Sequence, residues 1–205
     1  LESVLFTMER AGAYVDREYL KHLDRVFTEE LSVLTRGIYE MVGEEFNIKS
    51  PKQLSHILYT KLGLTPINKA RSTKAEVLES LSWQHIVVEK ILSYRMIDKL
   101  LSTYVRALPK QIDPHTLRIH PTFNQTGTMT GRLACQDPNL QNIPIRSDRG
   151  RLLRKAFCVP SEGTYFLSAD YSQIELRFLA HLSQDESLKL AFESREDVHT
   201  FTASQ

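Results

Sequence analysis

The stretch TYFLSADYSQIELRFLAHLS, residues 164–183, decides the fold of the second half of the chain. Its first six residues form an apolar run typical of a buried strand, which ends at Asp170. Apolar residues at helical spacing follow, so the pattern predicts a strand, a turn and a helix that begins at Ser172. A carboxylate at such a turn suits a hard cation such as magnesium, which prefers oxygen ligands. An isolated aspartate there is more often a turn former or a helix cap.

Ser172 and Glu175 have the spacing of a capping box, in which the two side chains satisfy backbone N–H groups at a helix start. Another helix is predicted from about Asp185. Upstream, residues 117–124 have the pattern of a strand, and residues 125–150 that of turns and short strands.

The first half of the chain has the pattern of helices. Asp16 is a suitable N-cap for a long helix that runs to about Val42, with Gly43 as its stop signal. The later helices are predicted from Ser50-Pro51 to Gly63, from a capping box formed by Thr73 and Glu76, and from about Gln84 to Leu108, before Pro109. The expected fold class is α+β: a helical arm followed by an antiparallel-sheet region, joined near residues 109–114.

Two polar segments have the composition of a nucleic-acid contact. TGTMTGRLACQDPNLQNIPIR, residues 126–146, is rich in side chains that contact phosphates, sugars and base edges. RSDRGRLLRK, residues 146–155, gathers four arginines and a lysine. A polar surface loop and a solvated charged face are the plainer interpretations of the same two segments.

Charge is distributed unevenly although the net charge is only +1. Residues 1–48 carry −5, residues 49–110 carry +7 and residues 111–205 carry −1. The basic middle section fits either a polyanion contact or a solvated helical face. The two cysteines indicate reduced thiols, and no apolar run approaches the roughly 20 residues that cross a bilayer. The N-terminus lacks a basic leader and does not have the pattern of a signal peptide.

Several motifs together resemble family A DNA polymerases of the bacterial polymerase I type. They are GRL followed by DPNLQNIP, then ADYSQIELR and DVHT, in that order and at matching separations. Upstream, MERAGAYVD, NIKSPKQLSHILYTKLGL, RST and the VEKILSYR…KLLSTY helix fit as well, so the resemblance covers essentially all 205 residues. It implies a right-hand polymerase architecture: a helix entering from the palm at 1–12, the thumb at 13–113, the first part of the palm at 114–184 and the start of the fingers at 185–205.

The resemblance also implies roles in nucleotidyl transfer. The position of Asp170 binds both catalytic Mg²⁺ ions in the family, and the backbone carbonyl at Tyr171 completes the metal shell. Glu175 matches a steric gate against ribose, with Ile174 in the same sugar pocket. Gln173 and His199 match nucleotide-binding positions.

DNA-contacting positions follow from the same resemblance. Arg132 matches an arginine that reaches the minor groove at the primer terminus, where N3 and O2 acceptors are shared by all correctly shaped base pairs. The other matched positions are Arg95, Lys99, Ser102, Thr103, Asn139, Gln141, Asn142 and Arg146. For Lys99, a solvent-facing lysine is the alternative.

The chain departs from the family pattern at two places. Ala134-Cys135-Gln136 stands where small hydroxyl residues are common, and the loop at 64–72 is shorter than in some members. The resemblance places a second metal-binding aspartate and a nucleotide-binding fingers helix after residue 205. We expect no proofreading segment before residue 1. The expected protein is a DNA polymerase fragment that is inactive alone and monomeric, with primer–template DNA and dNTP as partners and no membrane contact. Its expected location is the bacterial cytoplasm at the nucleoid, with an organelle as the alternative. The alternatives are a non-catalytic duplex-binding module and a degenerate relative.

Overall fold

The computed structural model describes residues 1–66, 71–161 and 163–194. The chain divides into two compact units, residues 1–164 and 165–205. The α-helices of the described residues are α1 (Glu2–Ala11), α2 (Arg17–Val42), α3 (Pro51–His56), α4 (Ala75–Glu79), α5 (Ile86–Leu100), α6 (Asp148–Arg154), α7 (Ile174–Ser183) and α8 (Glu186–Glu193). The strands are β1 (Ala13–Tyr14), β2 (Arg118–Ile119), β3 (Thr122–Asn124) and β4 (Ala134–Gln136). This mixture of helices with short antiparallel strands confirms the predicted α+β class.

The ends of α2 lie where the sequence places them. Asp16 is the N-cap, and its carboxylate accepts a 2.9 Å hydrogen bond from the Tyr19 amide. Gly43 follows the last turn with φ 78°, a left-handed conformation that costs glycine little, and its N–H bonds to the Tyr39 carbonyl. The predictions for this helix are confirmed.

The next helix also begins as predicted. The Ser50 hydroxyl accepts from the Gln53 amide, and Pro51 occupies the first turn. A π-helical turn at Ile57–Lys61 continues α3 as far as the predicted stop near Gly63. The capping box at Thr73 is wrong, because the N-cap of α4 is Lys74 and no side chain caps it.

Helix α5 begins two residues later than predicted and changes its winding before its end. His85 is its N-cap, with Nδ1 accepting from the Val87 amide at 3.1 Å. A π-helical turn at Leu101–Val105 continues it, and a 3₁₀ turn at Leu108–Lys110 contains Pro109. The predicted helix is therefore three kinds of helical turn in succession.

Two antiparallel strand pairs lie in the first unit, β1 with β2 and β3 with β4. The single strand predicted over residues 117–124 is split at Pro121. Proline has no N–H to give to a ladder, so the chain changes partner there.

Helices α2 and α5 are the spine of the first unit, and two buried clusters form along them. One cluster contains Leu20, Leu23, Phe27, Ile97, Leu101, Tyr104, Ile119, Ile143 and Leu153, among others. The other contains Ile38, Leu54, Leu58, Leu78, Val88 and Ile91, among others. The first cluster contains residues of α2 and α5 together with Ile143 and Leu153, which belong to the polar segments at 126–155. Packing in this cluster therefore holds those segments against α5.

In the second unit, Asp185 caps α8 as predicted, its carboxylate accepting from the Leu188 amide at 2.8 Å. The buried strand predicted for residues 164–169 is wrong: the segment forms no strand, and Tyr165 and Leu167 are 87% and 93% exposed. A strand exists only through a paired neighbour, and none pairs with this segment in the described part of the chain.

Candidate nucleic-acid interface

Arg132 lies in the loop between β3 and β4, which pair from Thr122–Gln136 to Asn124–Ala134. Gly131, with φ 76°, supplies the tight turn that precedes it. The Thr128 hydroxyl donates a 2.6 Å hydrogen bond to the Arg132 carbonyl and so closes the loop behind the arginine. The Arg132 residue is exposed, so the loop presents it at the surface.

The turn at residues 139–142 is held by bonds within the chain. The Asn139 side chain accepts from the Gln141 amide at 3.0 Å. The Gln141 side chain lies against the strand before it: its Oε1 accepts from the Cys135 amide at 3.0 Å, and its Nε2 donates to the Leu133 carbonyl at 3.1 Å. One Nε2 hydrogen remains beyond that bond, because a side-chain amide carries two donors.

Three arginines of the 146–155 segment make bonds within the protein. Arg149 forms a 2.8 Å ion pair with Glu30 of α2, and Arg151 pairs with Asp148. Arg154 donates to the Pro144 and Ile143 carbonyls at 3.3 and 3.4 Å. These three arginines therefore stabilise the fold through contacts within the protein. Arg146, by contrast, is exposed.

The four predicted positions of α5 and its π turn have spacings that place them along one side, but only three are exposed. Lys99, Ser102 and Thr103 are exposed, and the Ser102 hydroxyl bonds to the Asp98 carbonyl at 2.8 Å. Arg95 is half-buried and donates to the Thr73 carbonyl. Burial lowers the pKa of Arg95. Arg95 therefore anchors the start of the α4 segment, a contact that sequence reasoning missed.

The second unit carries the turn that links Asp170 to α7. Asp170, Tyr171, Ile174 and Glu175 are exposed, whereas Gln173 is half-buried. The N-cap of α7 is Gln173, in a left-handed conformation with φ 53° and without a side-chain cap, so the capping box predicted at Ser172 is wrong.

Arg177 braces this turn, a role that the sequence did not suggest. Its Nε donates to the Ser172 carbonyl at 2.9 Å, and its guanidinium lies 4.5 Å from the centre of the Phe192 ring of α8. The predicted nucleotide-binding residue His199 lies outside the described residues.

The residues that the structure describes do not form a complete two-magnesium site. Within the described ranges, no group of three His, Cys, Asp or Glu side chains could hold a metal ion. Magnesium leans on several oxygen ligands in octahedral geometry. The two groups that the sequence predicts as ligands, the Asp170 carboxylate and the Tyr171 carbonyl, would supply only part of such a set. None of the helices in the described residues is both long enough and apolar enough to cross a bilayer.

Residues 17–205 match the family model for DNA polymerase family A. The chain belongs to this family. DNA polymerase I of Caldicellulosiruptor bescii is 51% identical over 98% of this chain and 24% of its own length. DNA polymerase I of Geobacillus stearothermophilus is 49% identical over 99% of this chain, again 24% of its own length. The chain thus spans about a quarter of the length of these family A relatives.

A solved family A structure has the same fold. It is the POL domain of Pol1 from M. smegmatis, in complex with DNA primer-template and dNTP. The likeness has a TM-score of 0.86 at 40% identity and covers 98% of this chain and 36% of that one. The resemblance to family A inferred from the sequence motifs is confirmed.

Proposed function

We propose that this chain is part of a DNA-directed DNA polymerase that transfers a nucleotide from a dNTP to a primer 3′-hydroxyl. The observation that carries the proposal is its likeness, over 98% of its length, to a polymerase domain bound to primer-template and dNTP. We also propose that it acts as a monomer on DNA at the bacterial nucleoid; the bacterial source of its relatives supports the bacterial setting.

We assign residues 13–113 to the thumb, residues 114–184 to the palm and the residues from 185 onward to the fingers. In this assignment Arg132, Asn139, Gln141, Asn142 and Arg146 face the primer–template, together with the exposed side of α5 at Lys99, Ser102 and Thr103. Arg95 supports that side by holding the Thr73 carbonyl.

We assign Asp170 and the Tyr171 carbonyl as this chain's contribution to the Mg²⁺ site, and Gln173, Ile174, Glu175 and His199 to the nucleotide. Magnesium, when bound, supplies charge neutralisation for the triphosphate. Because the described residues bring only a partial ligand set, the chain alone is expected to be inactive.

A chimaera tests the proposed function. In it this chain replaces the matching quarter of C. bescii DNA polymerase I, which is 51% identical to it. The chimaera should extend a primer with all four dNTPs, and the 205-residue chain alone should not. The second candidate function, a non-catalytic duplex-binding module, is favoured by the lack of a complete metal group among the described residues. A folded chimaera that binds primer–template without extending it would support that module instead.

The isolated chain should bind duplex DNA weakly and lose affinity steeply with salt. Residues 49–110 carry +7, and each neutralised phosphate adds about −0.9 to the slope of log K against log salt. Lys99→Gln should remove about one phosphate contact and so make the slope shallower by about 0.9. The matched control is Lys21→Gln, since Lys21 is paired with Glu18 on the acidic part of the chain. Fluorescence anisotropy over a salt series measures both, and affinity that ignores salt would contradict an electrostatic contact.

Glu175→Ala in the chimaera should raise ribonucleotide incorporation relative to deoxyribonucleotide. The N-cap of α7 is Gln173 rather than Ser172, which contradicts the capping box, and the match of Glu175 to the family motif supports the steric gate as our proposal. Relative kcat/KM for the two sugars is the measurement. Glu186→Ala, in the first turn of α8, is the control that should leave the ratio unchanged. An unchanged ratio in Glu175→Ala would remove the gate assignment.

A further inference from the structure

Tyr104 connects the end of the α5 helix to the polar turn 38 residues further along the chain. Its hydroxyl donates a 2.6 Å hydrogen bond to the Asn142 carbonyl, and the side chain is buried at 4% exposure. Burial raises the pKa of Tyr104, so the hydroxyl remains a donor at neutral pH. The residue sits in the π turn Leu101–Val105, and π turns inside helices occur frequently at functional sites.

From Asn142 the contacts continue towards Arg132. The neighbouring Gln141 side chain bonds to both the Leu133 carbonyl and the Cys135 amide. Leu133 directly follows Arg132, so the backbone on that side of the arginine is fixed by Gln141. The Thr128 hydroxyl, four residues earlier in the chain, donates to the Arg132 carbonyl itself at 2.6 Å. The network therefore runs from a buried hydroxyl to the backbone that presents the exposed arginine.

We propose that Tyr104 is a positioning residue for nucleotidyl transfer, which fixes the Asn139–Asn142 turn and, through Gln141, the backbone that presents Arg132. This inference rests on the proposed polymerase function. Tyr104 contacts neither DNA nor nucleotide in this role: it is buried in the cluster that also holds Leu101, Ile143 and Leu153. Its effect on catalysis should pass through Arg132.

Hydrogen exchange on the 205-residue chain tests the physical link. Tyr104→Phe keeps the ring and removes only the donor, so exchange of the amides in residues 133–143 should quicken roughly three- to tenfold, the range of an ordinary hydrogen bond. The matched control is Tyr39→Phe, whose hydroxyl bonds to the Phe46 carbonyl at 2.8 Å in the other cluster. It should leave residues 133–143 unchanged. Equal exchange in Tyr104→Phe and the unsubstituted chain would overturn the proposal.

Single-turnover kinetics in the chimaera test the consequence. Tyr104→Phe should slow incorporation at saturating dNTP by roughly three- to tenfold with little change in DNA affinity. In an Arg132→Ala background the same change should have almost no further effect, which a general loss of stability would not produce. Additive effects of the two substitutions would overturn the proposal. If the unsubstituted chimaera does not extend a primer, the proposed function fails, and the exchange result then decides only whether Tyr104 fixes the backbone of residues 133–143.

Discussion

Asp170→Asn should abolish primer extension by the chimaera while leaving its fold intact. The substitution removes one negative charge and almost no volume, so it tests charge rather than packing. Asp170 is exposed on the turn before α7, and the Arg177 bond to the Ser172 carbonyl braces that turn without it. We expect the rate to fall by more than about 100-fold, which corresponds to about 2.7 kcal/mol of transition-state stabilisation.

The matched control is Asp185→Asn in the same unit. Asp185 caps α8 through its carboxylate, and asparagine is an equally good N-cap, so this variant should extend primers normally. Single-turnover incorporation on a primer–template is the measurement for both. An Asp170→Asn chimaera that extends within twofold of the parent rate would contradict the assignment of Asp170. An equal loss in the control would point to general damage of the unit.

Helix ends were predictable because their signals are local. Asp16, Ser50 and Asp185 each accept a hydrogen bond from an amide three residues later, within a single turn. Local spacing alone gives wrong predictions at Thr73 and Ser172. Both have the spacing of a capping box, Thr-x-x-Glu and Ser-x-x-Glu, but neither is an N-cap. The contact that Thr73 does make is a distant one, because its carbonyl accepts a hydrogen bond from Arg95, 22 residues further along the chain.

Strands and site contacts depend on partners that a linear pattern does not contain. Residues 164–169 are apolar enough for a strand but have no paired neighbour in the described residues. The apolar pattern alone therefore predicts a strand that does not form. The motifs predict Arg132 and Gln141 as site residues, yet they do not indicate that the Gln141 side-chain amide bonds to Leu133 and Cys135. In the sequence Tyr104 is only the last residue of a helix motif, and the motif does not indicate its partner Asn142, which lies in another segment.

Arg132→Ala in the chimaera should reduce nucleotide incorporation far more than duplex affinity. Minor-groove acceptors are common to all correctly shaped pairs, so one donor at the primer terminus can test pair geometry without reading sequence. A hydrogen bond to a charged group contributes about 1.5–3 kcal/mol, which predicts a fall of about 10- to 150-fold in the incorporation rate. Affinity depends on several phosphate contacts and should change little. Single-turnover rates and anisotropy separate the two quantities.

Arg132→Lys and Arg36→Ala are the informative companions. Lysine keeps the charge but loses the planar fork of donors, so Arg132→Lys should keep the parent affinity and recover the rate only in part. Arg36 is an exposed arginine of α2 in the acidic first segment, and its removal should alter neither quantity. If Arg132→Ala incorporates within twofold of the parent rate, Arg132 does not act at the primer terminus. If affinity and rate fall together, its contact is to phosphate, and the Gly131 turn and the Thr128 bond then serve DNA binding rather than geometry.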